Sequence, residues 1–304
     1  MIDAPYCQAP DKELRKPKFK LPTGSIDCHM HICGPVDRFP YSTNRIYTPH
    51  DALLPDYLAL LKTLGVDRAV LVQPSIYGED NSAMLEVLKS DSSKFRGVAV
   101  VNEEISHDDL KVMHQLGVRG VRCNIVDLSE SKGVLPIQYL NKLAAKVSPF
   151  GWHIELLMHV NEFPDIANLF QDFPVPIVLG HYGYQHCSLG IQTKGFQGLL
   201  SLMKEGRAWV KFTAPYRISA INTLPYSDVK LFAKTLLDNS PGQIVWGTDW
   251  PHVMVKNQMP NDADLCNLLF DWVPDESLRK LIFIENSERL YGFNALGRDG
   301  LISN

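Results

Sequence analysis

The segment Asp27-Cys28-His29-Met30-His31 sets three ionisable side chains two residues apart, a spacing that puts them on one face wherever the chain is extended. Two imidazoles presented together can donate to an oxygen that is gaining negative charge, or ligate a metal ion. A single such motif reads equally well as two core histidines completing hydrogen bonds. Three other segments weigh against that plainer reading. Leu179-Gly180-His181-Tyr182-Gly183 carries a third imidazole, Trp246-Gly247-Thr248-Asp249-Trp250-Pro251-His252 carries a carboxylate and a fourth, and Arg122 and Asn124 alternate along another short run. Together these groups offer electrophilic donors and a candidate general base. By contrast, His50, His107, His114 and His186 read as loop or helix-surface residues.

The elements that must position these groups follow from pattern. Short β-branched or apolar runs at 25–31, 68–73, 96–101, 118–124, 152–158, 176–181, 208–213 and 243–249 have the length and composition of strands. Between them, apolar residues recur at helical spacing, as in Leu54/Leu58/Leu61, Leu140/Leu143/Ala144/Val147 and Val229/Phe232/Ala233/Leu236. Gly65, Gly117 and Gly206 stand where left-handed helix ends are wanted, and Ser106 and Ser227 where N-caps belong. Eight strand-then-helix units predict a single-domain α/β fold, the (β/α)8 TIM barrel over residues 25–293, with 1–24 as an extended arm and 294–304 as a tail. An open doubly wound sheet is the alternative, but no Gly-rich nucleotide loop follows any strand. In a barrel, reactive groups sit at the C-terminal strand ends, which is where His29, His31, Arg122, Asn124, His181 and Asp249 fall.

Composition narrows the function classes. The 304 residues are 45% hydrophobic and 21% charged, with a net charge of −4, so no broad positive field is available for nucleic acid or an anionic membrane. No apolar stretch approaches a transmembrane length, and prolines and charges interrupt the N-terminus where a signal-peptide core would lie. Six cysteines without a CxxC pair predict reduced thiols, and with them a cytoplasmic location. The expected partner is a small molecule.

Taken in order, the motifs DCHMHICGP, FPY, YTP, VLVQPSIYGEDN, GVRGVRCN, GHYG, IVWGTDWPH and IENSERLYGF, spread over residues 24–293, resemble the amidohydrolase superfamily. They are most similar to its branch of 2-pyrone-4,6-dicarboxylate lactonases and sugar-lactone hydrolases. That resemblance implies a (β/α)8 barrel and a hydrolase opening a cyclic ester, with His29, His31 and His181 around the carbonyl and Asp249 as the base for water. It also implies that Arg122 and Arg217 hold substrate carboxylates, with Tyr47 and Ser75 near the substrate. Asn124 and His252 join these as substrate-binding candidates at neighbouring strand ends. Departures matter too. The segment 125–135 offers Lys132 but no arginine, and the residues after Gly183 read Tyr184-Gln185-His186-Cys187, again without one. Because arginine is the bidentate partner of carboxylates, fewer forks predict a mono-carboxylated or polyhydroxylated lactone rather than a dianion. The loop 33–47, with Phe39, Tyr41 and Tyr47, can either cover a substrate ring or seal the rim of the barrel.

Whether a metal takes part stays open at this level. Lys211 is the one lysine on the strand runs, so the bridging carboxylated lysine of binuclear relatives is not expected. His29, His31, His181 and Asp249 form a reasonable set for one zinc ion, and His159 could join them. A lactone needs less electrophilic help than an amide, and aimed donors can supply several kcal/mol, so no obligatory cofactor is expected. A mononuclear zinc-dependent hydrolase or decarboxylase of an aromatic or muconate-type acid is the alternative.

Overall fold

The computed structural model describes residues 4–126 and 134–294. Strands β1 (Ile26–Met30), β2 (Arg68–Val72), β3 (Phe95–Ala99), β4 (Val118–Asn124), β5 (His153–Leu157), β6 (Ile177–Leu179), β7 (Ala208–Phe212) and β8 (Ile244–Trp246) are parallel neighbours in one sheet, in chain order. Helices α1 (Leu54–Leu64), α2 (Ser82–Ser90), α3 (His107–Leu116), α4 (Ile137–Val147), α5 (Ile166–Leu169), α6 (Lys194–Lys204), α7 (Val229–Asn239) and α8 (Asp262–Trp272) follow the strands one for one. Two further helices, α9 (Glu276–Lys280) and α10 (Asn286–Tyr291), end the described chain. This is the (β/α)8 barrel, not the open sheet. The chain past β8 returns to β1, with Met30 bridging Trp250 in parallel and His31 N donating to Trp250 O at 2.8 Å. Every residue of β1, β2, β3 and β7 is buried, as expected where helices cover one face of a parallel sheet and packed side chains fill the other. No helix among the described residues is long and apolar enough to cross a membrane.

Two compact units divide the chain, residues 1–97 with 246–304, and residues 98–245. In the first, β1 pairs with β2 through an irregular register between Asp27 and Met30, so the strand kinks where it carries His29. The face of α1 is turned from the expected stripe. Tyr57, Leu60, Leu61 and Leu64 are buried while Leu58 is exposed, because Tyr57 is drawn inward by a hydrogen bond to Asp27. Gly65 closes α1 in the left-handed conformation at φ 77°.

In the second unit, β4, β5, β6 and β7 pair in regular register, with Gly120 opposite His153 and Arg122 opposite Glu155. Ser106 caps α3 by accepting from Asp109 N, and Gly117 ends that helix at φ 106°. Ser227 is not a cap. Asp228 occupies that position in α7, and its carboxylate accepts from Ser219 Oγ and Ala220 N instead of the helix. All six cysteines are free thiols.

Candidate active site

In the first unit, the kinked end of β1 and the turn after β8 bring three of the expected groups together. His29 Nε2 lies 3.4 Å and His31 Nε2 4.0 Å from Asp249 Oδ1, and the two rings meet edge to face with centroids 5.0 Å apart. All three side chains are buried. Asp249 N donates to His29 O at 2.8 Å, and His252 N closes a tight turn on Asp249 O at 2.7 Å. That turn holds Asp249 at φ 68° and His252 at φ 60°, a left-handed backbone that costs a non-glycine residue about 1 kcal/mol or more and is found where a side chain must be aimed. Neighbouring Gly247 leaves no room for a side chain, since a Cβ there would stand 2.6 Å from His29 N.

Asp27 faces away from this cluster in function though not in sequence. Its Oδ1 accepts from His29 N (3.0 Å) and Thr248 N (2.9 Å), and its Oδ2 from Thr248 Oγ1 (2.6 Å) and Tyr57 OH (2.8 Å). Four donors on one buried carboxylate tie the residue before Asp249 to the backbone of His29. Burial pushes the Asp27 carboxyl up to about 6 against the opposing pull of those bonds.

His31 Nδ1 lies 2.7 Å from the carbonyl of Val72 at the end of β2. A carbonyl only accepts, so Nδ1 carries the proton, and in the neutral ring Nε2 presents its electron pair on the side of Asp249. His252 Nε2 lies 3.1 Å from Asp262 Oδ1 at the start of α8. Tyr47 is buried in the loop after β1, and Ser75 opens a short 3-10 turn after β2. Tyr41 packs on Tyr77 with ring centroids 5.5 Å apart, so within the 33–47 loop it seals the rim of this unit.

The second unit carries the remaining candidates at its own strand ends. His181, just past β6, is buried at φ 51°, with Nδ1 2.8 Å from Thr213 Oγ1 beyond β7. His159 stacks on Tyr184 at 4.6 Å and its Nδ1 lies 2.8 Å from Tyr184 O. Arg122 is buried and Asn124 half-buried, on the same face of β4. Arg217 ends the 3-10 turn Pro215–Arg217, its guanidinium 5.4 Å over the Tyr216 ring. The Asp228 carboxylate, eleven residues beyond Arg217, accepts from Ser219 Oγ and Ala220 N. Lys211 makes a buried ion pair with Glu155 at 2.6 Å. Lys132 lies outside the described residues.

The sequence pattern of the amidohydrolase family matches residues 26–293, the whole barrel. The chain belongs to the amidohydrolase family. Among its relatives, 4-sulfomuconolactone hydrolase of Hydrogenophaga intermedia is 34% identical over 97% of this chain and 97% of its own. The 2-pyrone-4,6-dicarboxylate hydrolase of Comamonas testosteroni is 36% identical over 91% of this chain and 92% of its own. A solved structure from Pseudomonas putida, 28% identical, superposes with a TM-score of 0.78 over 90% of this chain and all of that one.

In this amidohydrolase, His29, His31 and Asp249 are the groups of the first unit that converge, with one ligating atom from each inside a mutual 4.8 Å. Two imidazole nitrogens and a carboxylate oxygen suit one divalent ion of the zinc type, and the Val72 carbonyl on the far nitrogen of His31 is the outer contact such ligands use. Thr248, Thr213, Glu155 and the Val72 carbonyl were not singled out by sequence reasoning. Glu155 was the most visible of them, a charge inside the apolar run of β5 that predicts a buried partner.

Proposed function

We propose that this amidohydrolase is a lactonase that opens a mono-carboxylated or polyhydroxylated lactone. The observation that carries the reading is Asp249, a buried carboxylate aimed from a strained turn at two imidazoles. Asp249 takes a proton from water, the water oxygen bonds to the lactone carbonyl carbon, and the ring C–O bond breaks. The proton then passes to the departing ring oxygen, leaving a hydroxy acid. The family resemblance assigns His29, His31 and His181 to the carbonyl oxygen as it gains charge. For His31, whose Nδ1 proton is committed to the Val72 carbonyl, that donation requires a second proton on Nε2. Arg122 and Arg217 hold the substrate carboxylate, with Tyr47, Ser75, Asn124 and His252 as further substrate contacts. The names of the two hydrolase relatives, both lactone-opening in their printed substrates, support this class.

The residue after His181's loop argues for a substrate with fewer charges. Gln185, standing among the residues where a further arginine is missing, is buried, and its Oε1 accepts from Thr193 Oγ1 at 2.6 Å. It serves its own loop rather than a second carboxylate. A small-molecule partner and a cytoplasmic setting belong to the same reading, the latter in keeping with the free thiols.

A second reading rests on the neutral form of His31, whose Nε2 electron pair suits a metal better than a carbonyl. His29, His31 and Asp249 would then hold one divalent ion, which would polarise the carbonyl and acidify water, in a hydrolase or a decarboxylase. Assay of chelator-treated protein against sugar lactones, muconolactones and pyrone carboxylates separates the two. Hydrolysis that survives chelation supports the metal-independent lactonase. Turnover that is abolished and returns with zinc replaces it with the mononuclear enzyme.

A further inference from the structure

Residues 4–18 run as an extended segment over the first unit, and their contacts fall on two loops and one helix. On the loop after β1, Tyr6 bridges Thr48 in parallel. Cys7 N donates to Thr48 O (2.9 Å), Thr48 N to Pro5 O (2.8 Å) and Thr48 Oγ1 to Ala4 O (2.8 Å). Thr48 adjoins Tyr47. On the loop after β8, Gln8 Nε2 donates to Val255 O (3.2 Å) and Asn257 O (2.9 Å), and Met254 N donates to Cys7 Sγ (3.3 Å). That loop also carries His252. At its far end, Asn261 divides its amide. Oδ1 caps α8 by accepting from Ala263 N (3.1 Å), while Nδ2 donates to Asp11 Oδ2 and Glu13 O (both 2.8 Å). The next residue, Asp262, is the one that holds His252 Nε2. Farther along, Arg15 pairs with Asp264 (2.6 Å) and Phe19 stacks on Phe270 (4.9 Å), which anchors the segment to the side of α8.

Ordering an extended surface segment costs about 1–2 kcal/mol of backbone freedom per residue, against about 0.5–1.5 kcal/mol returned by each hydrogen bond. The bonds are concentrated where the segment crosses the loops that carry Tyr47 and His252. We propose that residues 4–13, through Gln8 and Asp11 above all, are positioning residues that strap these two loops and so set how tightly the substrate is held. The proposal rests on the lactonase reading for its kinetic test, and its structural test is independent of it.

The experiment uses the full-length Gln8→Ala/Asp11→Ala double variant, with Arg15→Ala as the control, since Arg15 pairs with Glu13 and with Asp264 of α8 and reaches neither loop. The double variant should raise KM for the best lactone of the screen about tenfold with kcat within about threefold, while Arg15→Ala keeps both within about twofold. Without any substrate, hydrogen exchange of backbone amides at 45–50 and 252–262 should quicken about tenfold or more in the double variant and not in the control. Faster exchange in a protein that opens no lactone would sustain the strap and reject the lactonase. Unchanged KM with unchanged exchange overturns the strap, as does an equal change in Arg15→Ala, which would make the effect one of general stability.

Discussion

Asp27 and Thr248 are joined twice, Thr248 N to Oδ1 at 2.9 Å and Thr248 Oγ1 to Oδ2 at 2.6 Å, across 221 residues of sequence. Because Oδ1 also accepts from His29 N, this pair sets the backbone of the histidine against the backbone that leads into Asp249. Thr248→Val keeps the shape and removes the hydroxyl donor. It should cost about 1.5–3 kcal/mol of stability, as loss of a hydrogen bond to a charged group does. It should also lower kcat about tenfold through misplacement of Asp249. Denaturant unfolding and steady-state kinetics check this. Wild-type values for both would remove Thr248 from any positioning role.

Stability at acid pH should depend on His153. Burial holds this imidazole neutral, pushing its pKa from 6.5 down to about 3, with Lys211 adding to the effect and Glu155 opposing it. The unfolded chain therefore binds a proton that the folded chain refuses. The stability tied to neutral His153 is complete above about pH 6.5 and is lost as pH falls toward 3, amounting to about 3 kcal/mol by pH 4. Asp27 works in the other direction, since its folded pKa is raised from 3.8 to about 6 and its contribution fades as pH rises through that value. Comparison of wild type with His153→Gln isolates the first effect. The variant should lose less stability than wild type between pH 7 and pH 4, and parallel curves would contradict the assignment.

Specificity should rest on Arg217. Arg217→Met should raise KM for an anionic lactone by the worth of a charge-assisted hydrogen bond, about 1.5–3 kcal/mol, or roughly 10- to 100-fold, with little change for an uncharged one. The pyrone dicarboxylate should be a poor substrate of the wild-type protein. Efficient turnover of that dianion, or unchanged kinetics of the variant on an anionic lactone, would remove Arg217 from the role of specificity determinant.

Much of this architecture is legible in the sequence because it is local. The run Val118–Asn124 is a strand over its full expected length, Ser106 and Gly117 bound their helix, and the HxH motif of β1 with Asp249 after β8 marks the converging groups. What escapes local reading depends on partners distant in sequence. Leu58 has the right spacing for the core, yet Tyr57 takes the inward place because its hydroxyl finds Asp27. Strict alternation puts Asp27 beside His29 and His31, but the irregular register of β1 and four donors from three elements give it a buttressing part. Likewise, the proton on His31 is decided by a backbone carbonyl of another strand, which carries no residue signature at all.

The role of Asp249 is tested most directly by steady-state hydrolysis of the best lactone by wild type and by Asp249→Asn, with substrate affinity measured alongside. The amide keeps the size of the carboxylate and most of its hydrogen bonding but cannot take a proton from water. Asp249→Asn should fold, bind the lactone with near wild-type affinity and turn it over at least about 10²-fold more slowly. Near-normal turnover in Asp249→Asn would contradict that role.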